Sequence, residues 1–147
     1  MTNLSTLKKQ LKKHNLEVII RCETKDSPTT GRLYNPNWNH LPPPSRDKFI
    51  KGPIYVKSYC DLPEDHNCGT INFRQYRQWF PKTIHKKAIE KGMRHTLLAV
   101  DSSLVSYYKK QCLFPRAKAV VIGTVREDNS IRTYKSLEKL LCQTIKV

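Results

Sequence analysis

The stretch that decides the fold is residues 95–125, HTLLAVDSSLVSYYKKQCLFPRAKAVVIGTV. Residues 95–100 and 118–125 have the length and the β-branched content of buried strands, and the apolar spacing over 104–112 predicts a helix between them. Asp101 and the serines after it supply helix-capping chemistry, and Pro115 breaks the chain after the helix. The sequence therefore predicts a C-terminal βαβ unit with parallel strands and a right-handed crossover.

The flanking segments extend this unit to an α/β (or α+β) fold. Leu4, Leu7 and Leu11 recur at helical spacing, which predicts a helix over residues 4–14. Similar patterns predict strands at 16–22, 54–59 and 131–134, helices at 72–80 and 81–91, and a final helix that buries Leu137, Leu140, Leu141 and Ile145. We expect one basic domain over residues 1–147, with a mixed sheet of about four or five strands flanked by helices.

A proline-rich loop is predicted over residues 24–52, because Pro28, Pro36 and the triplet Pro42 to Pro44 interrupt regular structure. Loops of this length in small domains are usually functional. The Leu41–Pro44 segment favours a polyproline-like rod, which could enter the aromatic groove of a partner protein or act as a rigid spacer.

Charge gives the main functional signal. The chain has 27 Lys and Arg against 12 Asp and Glu, a formal net charge of +15. Such an excess destabilises a compact fold by self-repulsion, which predicts a polyanionic partner. Nucleic acid is the favoured partner, with RNA or a single strand preferred over DNA. The alternatives are a small basic adaptor that binds an acidic protein through the Leu41–Pro44 loop or the C-terminal helix, and a basic protein whose charges are merely solvated.

Cysteine usage and hydropathy indicate an intracellular protein. The odd count of five cysteines and the absence of an apolar leader predict reduced thiols in the cytoplasm or nucleus, and no membrane association. We expect Cys22, Cys112 and Cys142 to be buried as small hydrophobic residues.

Residues 72–95 form the predicted nucleic-acid-binding surface. Its phosphate-binding candidates are Arg74, Arg77, Lys82, Lys86, Lys87, Lys91 and Arg94, extended by Lys8, Lys9, Lys12 and Lys13. Tyr76 and Trp79 are the candidates for stacking on bases, whereas Phe73 and Phe80 are expected in the core. Tyr34, Trp38, Tyr55 and Tyr59 are further aromatic residues outside this segment, and their presence favours unpaired bases over duplex.

Catalysis and cofactors are not expected, although some residues could carry chemistry. Cys60, His66 and Cys68 lie within nine residues and are a weak zinc candidate, because they lack a close CxxC pair. Cys68 could act as a nucleophile with His40 or His66 as its base. Asp101 could bind a metal ion at a strand end, but helix capping accounts for it better.

Residues 87–112 are similar to the helix, strand and helix of small α/β RNA-binding proteins of the L7Ae ribosomal class. The segment lacks the glycine-asparagine-glutamate element of that family. The resemblance therefore implies RNA binding in general terms and assigns no residue a role.

Overall fold

Within residues 3–24, 42–58 and 61–145, which a computed structural model describes, the chain forms four helices and eight strands. The helices are α1 (Leu4–Lys12), α2 (Phe73–Trp79), α3 (His85–Glu90) and α4 (Lys135–Ile145). The strands are β1 (Leu16–Thr24), β2 (Phe49–Lys51), β3 (His66–Gly69), β4 (Met93–Asp101), β5 (Ser106–Tyr108), β6 (Cys112–Pro115), β7 (Val120–Val125) and β8 (Ile131–Thr133). The side chains of residues 143–145 lie outside this description.

The strands pair into two four-stranded antiparallel sheets. The first sheet has the order β1-β4-β7-β8, and β1 pairs with β4 along its whole length, from Leu16 opposite Asp101 to Thr24 opposite Met93. The second sheet has the order β2-β5-β6-β3. The protein is thus a single α+β domain, which confirms the predicted class.

Apolar side chains build three cores from one end of the molecule to the other. Leu7, Tyr76 and Ala88 belong to the core between the helices and the first sheet. Ile19 and Phe114 belong to the core between the two sheets. A smaller core of Val56, Tyr108 and Leu113 lies on the outer side of the second sheet. The helices therefore cover one face of the first sheet, and their outer surfaces face solvent.

The elements predicted from periodicity are largely confirmed. In α1 the buried residues are Leu4, Leu7 and Leu11, and the Asn3 side chain caps the helix by accepting from Thr6 N at 2.8 Å. Strand β1 is buried on both faces, which explains why Val18, Ile19 and Ile20 follow one another without the polar alternation of a half-exposed strand. The strands at 16–22, 95–100, 118–125 and 131–134 and the helices at 72–80, 81–91 and the C-terminus are also present, with bounds shifted by a few residues.

The βαβ prediction is wrong. Residues 102–104 form a short 3-10 turn, and 106–108 and 112–115 form the β5–β6 hairpin, so no helix occupies 104–112. Because β4 and β7 are directly adjacent and antiparallel, there is no crossover, and the expected mixed sheet is wrong as well. Val105, Tyr107 and Tyr108 favour extended backbone, and this preference outweighs the helical spacing of the apolar residues. The helix that supported the L7Ae resemblance is therefore missing.

Two further predictions need correction. Residues 54–58 form no strand. Ile54 N donates to the Ser106 hydroxyl and Val56 N to the Tyr108 hydroxyl, so these backbone groups bond to side chains of β5 and not to its backbone. The predicted loop 24–52 contains β2, although residues 25–41 lie outside the described part of the chain. Cys22 and Cys112 are buried as expected, whereas Cys142 is exposed on α4.

Candidate nucleic-acid interface

The segment 72–95 folds as two short helices on the first sheet. Asn72 caps α2, since its side chain accepts from Gln75 N at 2.8 Å. Tyr76, Phe80 and Ala88 turn inward and join the core between helices and sheet. This packing leaves a set of cationic side chains exposed on the outer side, namely Arg74, Lys82, Lys86, Lys87 and Lys91.

Lysines dominate the outer surface of α3, and we call Lys82, Lys86, Lys87 and Lys91 the α3 lysines. Lys86 Nζ lies 3.8 Å from Glu127 Oε2, with side-chain exposures of 81% and 46%. An ion pair so exposed contributes little. Within the described residues no carboxylate oxygen lies within 4.0 Å of the other three ammonium groups. The positive charge of this surface is therefore not neutralised locally.

Arg77 has a structural role that the sequence did not reveal. Its Nε donates to Asn129 Oδ1 at 2.9 Å, and its Nη2 donates to the Arg126 carbonyl at 3.1 Å. Its Nη1 donates to the Phe80 carbonyl at 3.3 Å and to His85 Nδ1 at 3.1 Å. These bonds join α2 to the start of α3 and to the β7–β8 turn. Arg77 therefore does not serve as a free phosphate ligand, contrary to the prediction.

Tyr76 is buried and cannot stack on a base. It is 1% exposed, and its hydroxyl donates to Nδ1 of His95. His95 Nε2 donates to the His85 carbonyl at 3.0 Å, and the two imidazole rings stack with centroids 3.7 Å apart. The predicted stacking role of Tyr76 is wrong because its ring belongs to this buried cluster.

Both histidines of the cluster are held neutral. Burial lowers the pKa of His85 to about 4, with further contributions from the charges of His95 and Arg77. Burial lowers the pKa of His95 to about 4 as well. The hydrogen bond to the His85 carbonyl raises this pKa, and the charge of Arg77 lowers it. Because Nε2 of His95 donates to a carbonyl, its Nδ1 is left to accept from the Tyr76 hydroxyl. Because a guanidinium can only donate, Nδ1 of His85 accepts from Arg77. Neither Nδ1 therefore carries a proton.

Trp79 and Arg94 do not both lie on the predicted surface: Trp79 is half-buried, and Arg94 is exposed on another side of the sheet. Trp79 is half-buried against the helix-side core, and its indole N–H donates to the Lys110 carbonyl at 3.0 Å. Arg94 is exposed and lies opposite Glu23 in the β1–β4 register. Because His95 faces the helices, Arg94 faces the other side of the sheet. Arg94 therefore lies away from the α3 lysines.

The lysines of α1 also divide into one that is bound within the domain and three that are exposed. Lys8 Nζ lies 3.5 Å from Glu17 Oε1 and also donates to the Ile71 carbonyl, so it anchors α1 to the sheet. Lys9, Lys12 and Lys13 are exposed. These three, but not Lys8, can extend the basic surface.

The candidate metal and catalytic residues gain no support. Cys60 and His40 lie outside the described residues, and no group of at least three His, Cys, Asp or Glu side chains within them could hold a metal ion. His66 Nδ1 lies 2.9 Å from Asp65 Oδ1, which directs the ring to the neighbouring carboxylate. Asp101 caps a 3-10 turn by accepting from Ser103 N at 2.9 Å, and these bonds lower the pKa of its carboxyl.

The proposed protein-docking elements are packed onto the domain. Pro44 is buried, and the Pro42 carbonyl accepts from Gln111 Nε2 at 2.7 Å, whereas Leu41 lies outside the described residues. In the C-terminal helix Leu137 is buried against the first sheet. Pro44 and Leu137 thus contact the domain itself, and an acidic protein partner for either element stays a prediction.

A family profile described as Bacteriophage T4 Y00F protein matches residues 9–128. The chain belongs to the Y00F family. The match includes the α3 lysines and ends before β8 and α4. No curated protein and no solved structure matches the chain.

Membership of the Y00F family bears on where the protein acts. Bacteriophage proteins are made inside bacterial cells, which have no nucleus, so the nuclear part of the predicted location is wrong. No helix within the described part of this Y00F chain is long and apolar enough to cross a membrane.

The sequence of this Y00F family member suggests Tyr55 only as one of several aromatic residues that favour unpaired bases, and it does not reveal the groove described next. Tyr55 is the only aromatic side chain in the described ranges that is mainly exposed, at 61%. A groove of about 580 Å³ opens beside β2 and is lined by residues that include Lys51, Asp101, Ser103 and Tyr107. An exposed tyrosine among lysines was the available signal, but it could not be told from a core residue without the fold.

Proposed function

We propose that this protein binds nucleic acid without catalysing a reaction, in the cytoplasm of a bacterial host, and that it prefers RNA or single strands. The observation that carries the proposal is the cluster of α3 lysines, which are exposed and have almost no carboxylate partners in the described structure. Lysines one helical turn apart, such as Lys87 and Lys91, repel each other in the free protein. A phosphate backbone would replace that repulsion with attraction.

The contacts of neighbouring residues support the same assignment. The inner sides of α2 and α3 are fixed by the buried cluster around Tyr76 and by the five hydrogen bonds of Arg77. The α3 lysines are thus presented on a rigid base, and Arg74 and the exposed lysines of α1 add to the same helix layer. A preformed cationic surface needs little reorganisation to bind a polyanion.

Charge reversal on α3 tests the proposal. The variant K86E/K87E/K91E is compared with K118E/K135E/K139E, which changes the net charge equally at exposed lysines elsewhere. Fluorescence anisotropy with a labelled oligouridine of about 12 nucleotides measures affinity as a function of salt. If each α3 lysine binds one phosphate, the salt slope of the α3 variant is shallower by about 2 on a single strand.

The comparison has clear outcomes. The α3 variant should bind far more weakly than the control variant, while both keep the melting temperature of the wild type because the changed side chains are exposed. Equal binding by the two variants would contradict the role of α3. Protein partners are distinguished by nuclease treatment before a pull-down, because a nucleic-acid complex is lost and an acidic protein partner is retained.

A further inference from the structure

Tyr55 forms an exposed aromatic platform on the outer side of the second sheet. Its ring meets that of Phe49 edge to face, with centroids 5.1 Å apart, and Phe49 in turn contacts the buried ring of Tyr108 at 5.4 Å. Tyr55 is nevertheless 61% exposed. The ring is therefore held in place from one side while most of its surface remains open to solvent.

The surroundings of Tyr55 are cationic. We call Tyr55, Lys48 and Lys57 the β2 surface, since they lie next to β2, and all of them are exposed. Ile50 is also 58% exposed. Lys51 does not belong to this surface, because its Nζ lies 5.4 Å from the centre of the Tyr107 ring, which packs against the core between the two sheets.

Asp47, the nearest acid in sequence to Lys48, forms no ion pair with these lysines within the described structure. Asp47 Oδ1 accepts from Lys48 N at 2.8 Å, and its Oδ2 accepts from Lys110 N at 2.9 Å and from Gln111 Nε2 at 3.2 Å. Both carboxylate oxygens are thus used by amide groups. In the described part of the chain no ion pair includes Lys48, Lys51 or Lys57.

We propose that the β2 surface binds single-stranded nucleic acid, with one base stacked on Tyr55 and the flanking phosphates held by Lys48 and Lys57. The proposal rests on the proposed function and adds a second contact region to it, on a different layer from the α3 lysines. An exposed aromatic ring gains free energy by stacking on an unpaired base, whereas bases in a duplex are already stacked. The cationic surroundings favour a phosphate backbone over an apolar peptide.

Substitution of Tyr55 tests the proposal. Tyr55→Ala removes the ring, Tyr55→Phe keeps it, and Ile50→Ala is the matched control for loss of an exposed apolar side chain. Each variant is titrated by fluorescence anisotropy against the labelled oligouridine and against a blunt-ended RNA duplex. We expect Tyr55→Ala to bind oligouridine about 5- to 150-fold more weakly and the duplex unchanged. Tyr55→Phe and Ile50→Ala should stay within about two-fold of the wild type.

Every outcome decides a point. Wild-type protein that binds neither probe at low salt overturns the proposed function and this inference with it. Wild-type binding to oligouridine that Tyr55→Ala leaves within two-fold overturns this inference alone. If Tyr55→Ala does not fold, as judged by circular dichroism, Tyr55→Leu is used because it keeps apolar contact with Phe49, and the same criterion applies to it.

Discussion

Acidification should destabilise the protein through the buried histidine pair. Both His85 and His95 bind no proton in the folded state until the pH approaches 4, whereas in the unfolded chain they titrate near 6.5. Between these values the unfolded state binds more protons, so the free energy of unfolding falls as the pH falls. The stabilisation is complete above the unfolded pKa and is lost as the pH drops through about 4.

The size of the effect follows from the two pKa values. From pH 7 to pH 5 each histidine should lower the free energy of unfolding by about 2 kcal/mol, and the pair by about 4 kcal/mol. With a urea dependence of about 2 kcal/mol per molar, the midpoint of unfolding shifts by about 2 M. The main cause is the burial of both rings, and a proton on either Nδ1 would also face the Tyr76 hydroxyl or the Arg77 guanidinium, which now donate to these nitrogens.

Urea titration followed by circular dichroism, at a series of pH values, measures this dependence. His95→Gln keeps a donor and an acceptor but does not titrate, so it should lose about half of the pH dependence of the wild type. His14→Gln, at a partly exposed histidine outside the buried pair, is the matched control. Glu17 acts with the opposite sign because burial raises its pKa, which is why the variants are compared at each pH. A wild-type stability that is unchanged from pH 7 to pH 5 would refute the reasoning.

Two further substitutions test the buried polar network. Arg77→Lys cannot reproduce the bonds to Asn129 and to the carbonyls, so it should lower stability by about 2 kcal/mol, whereas Arg74→Lys on the exposed side of α2 should stay within about 0.5 kcal/mol. Glu23→Gln removes the carboxylate that accepts from Arg21 at 2.9 Å and Arg116 at 2.7 Å, and the uncompensated buried charges should cost about 3–5 kcal/mol. Urea midpoints measure both, and an unchanged midpoint for either would contradict the network.

The sequence predicts best those elements whose pattern can be read from residues close together in the chain. Leu4, Leu7 and Leu11 recur within one helix, and β1 is rich in Val and Ile, so both are predicted correctly. The prediction for residues 104–112 is wrong because the β5–β6 hairpin depends on pairing with β2 and β3, which are distant in sequence. The spacing of Leu104, Tyr108 and Cys112 fits one helix face, and only the β2-β5-β6-β3 sheet shows that these residues are extended.

The candidate site shows the same limit at the level of side chains. The sequence identifies the basic segment correctly as a cluster of charge, but it cannot tell Arg77 from Arg74 or Tyr76 from Tyr55. Arg77 and Tyr76 are bound by the β7–β8 turn and by His95, which are distant in sequence. Burial of the one pair and exposure of the other follow from tertiary contacts that no local pattern records.

Arginines and lysines have different roles in this protein, and the difference bears on how nucleic-acid bases would be recognised. Buried carboxylates and carbonyls accept hydrogen bonds from the guanidinium groups of Arg21, Arg77 and Arg116. The exposed cations of α3, in contrast, are lysines. A lysine is a point charge on a flexible stem, so its contact with a phosphate carries no information about the base. Under the proposed function the α3 lysines would supply affinity that depends on salt, and a preference for unpaired bases would arise on the β2 surface, where Tyr55 would meet the bases themselves.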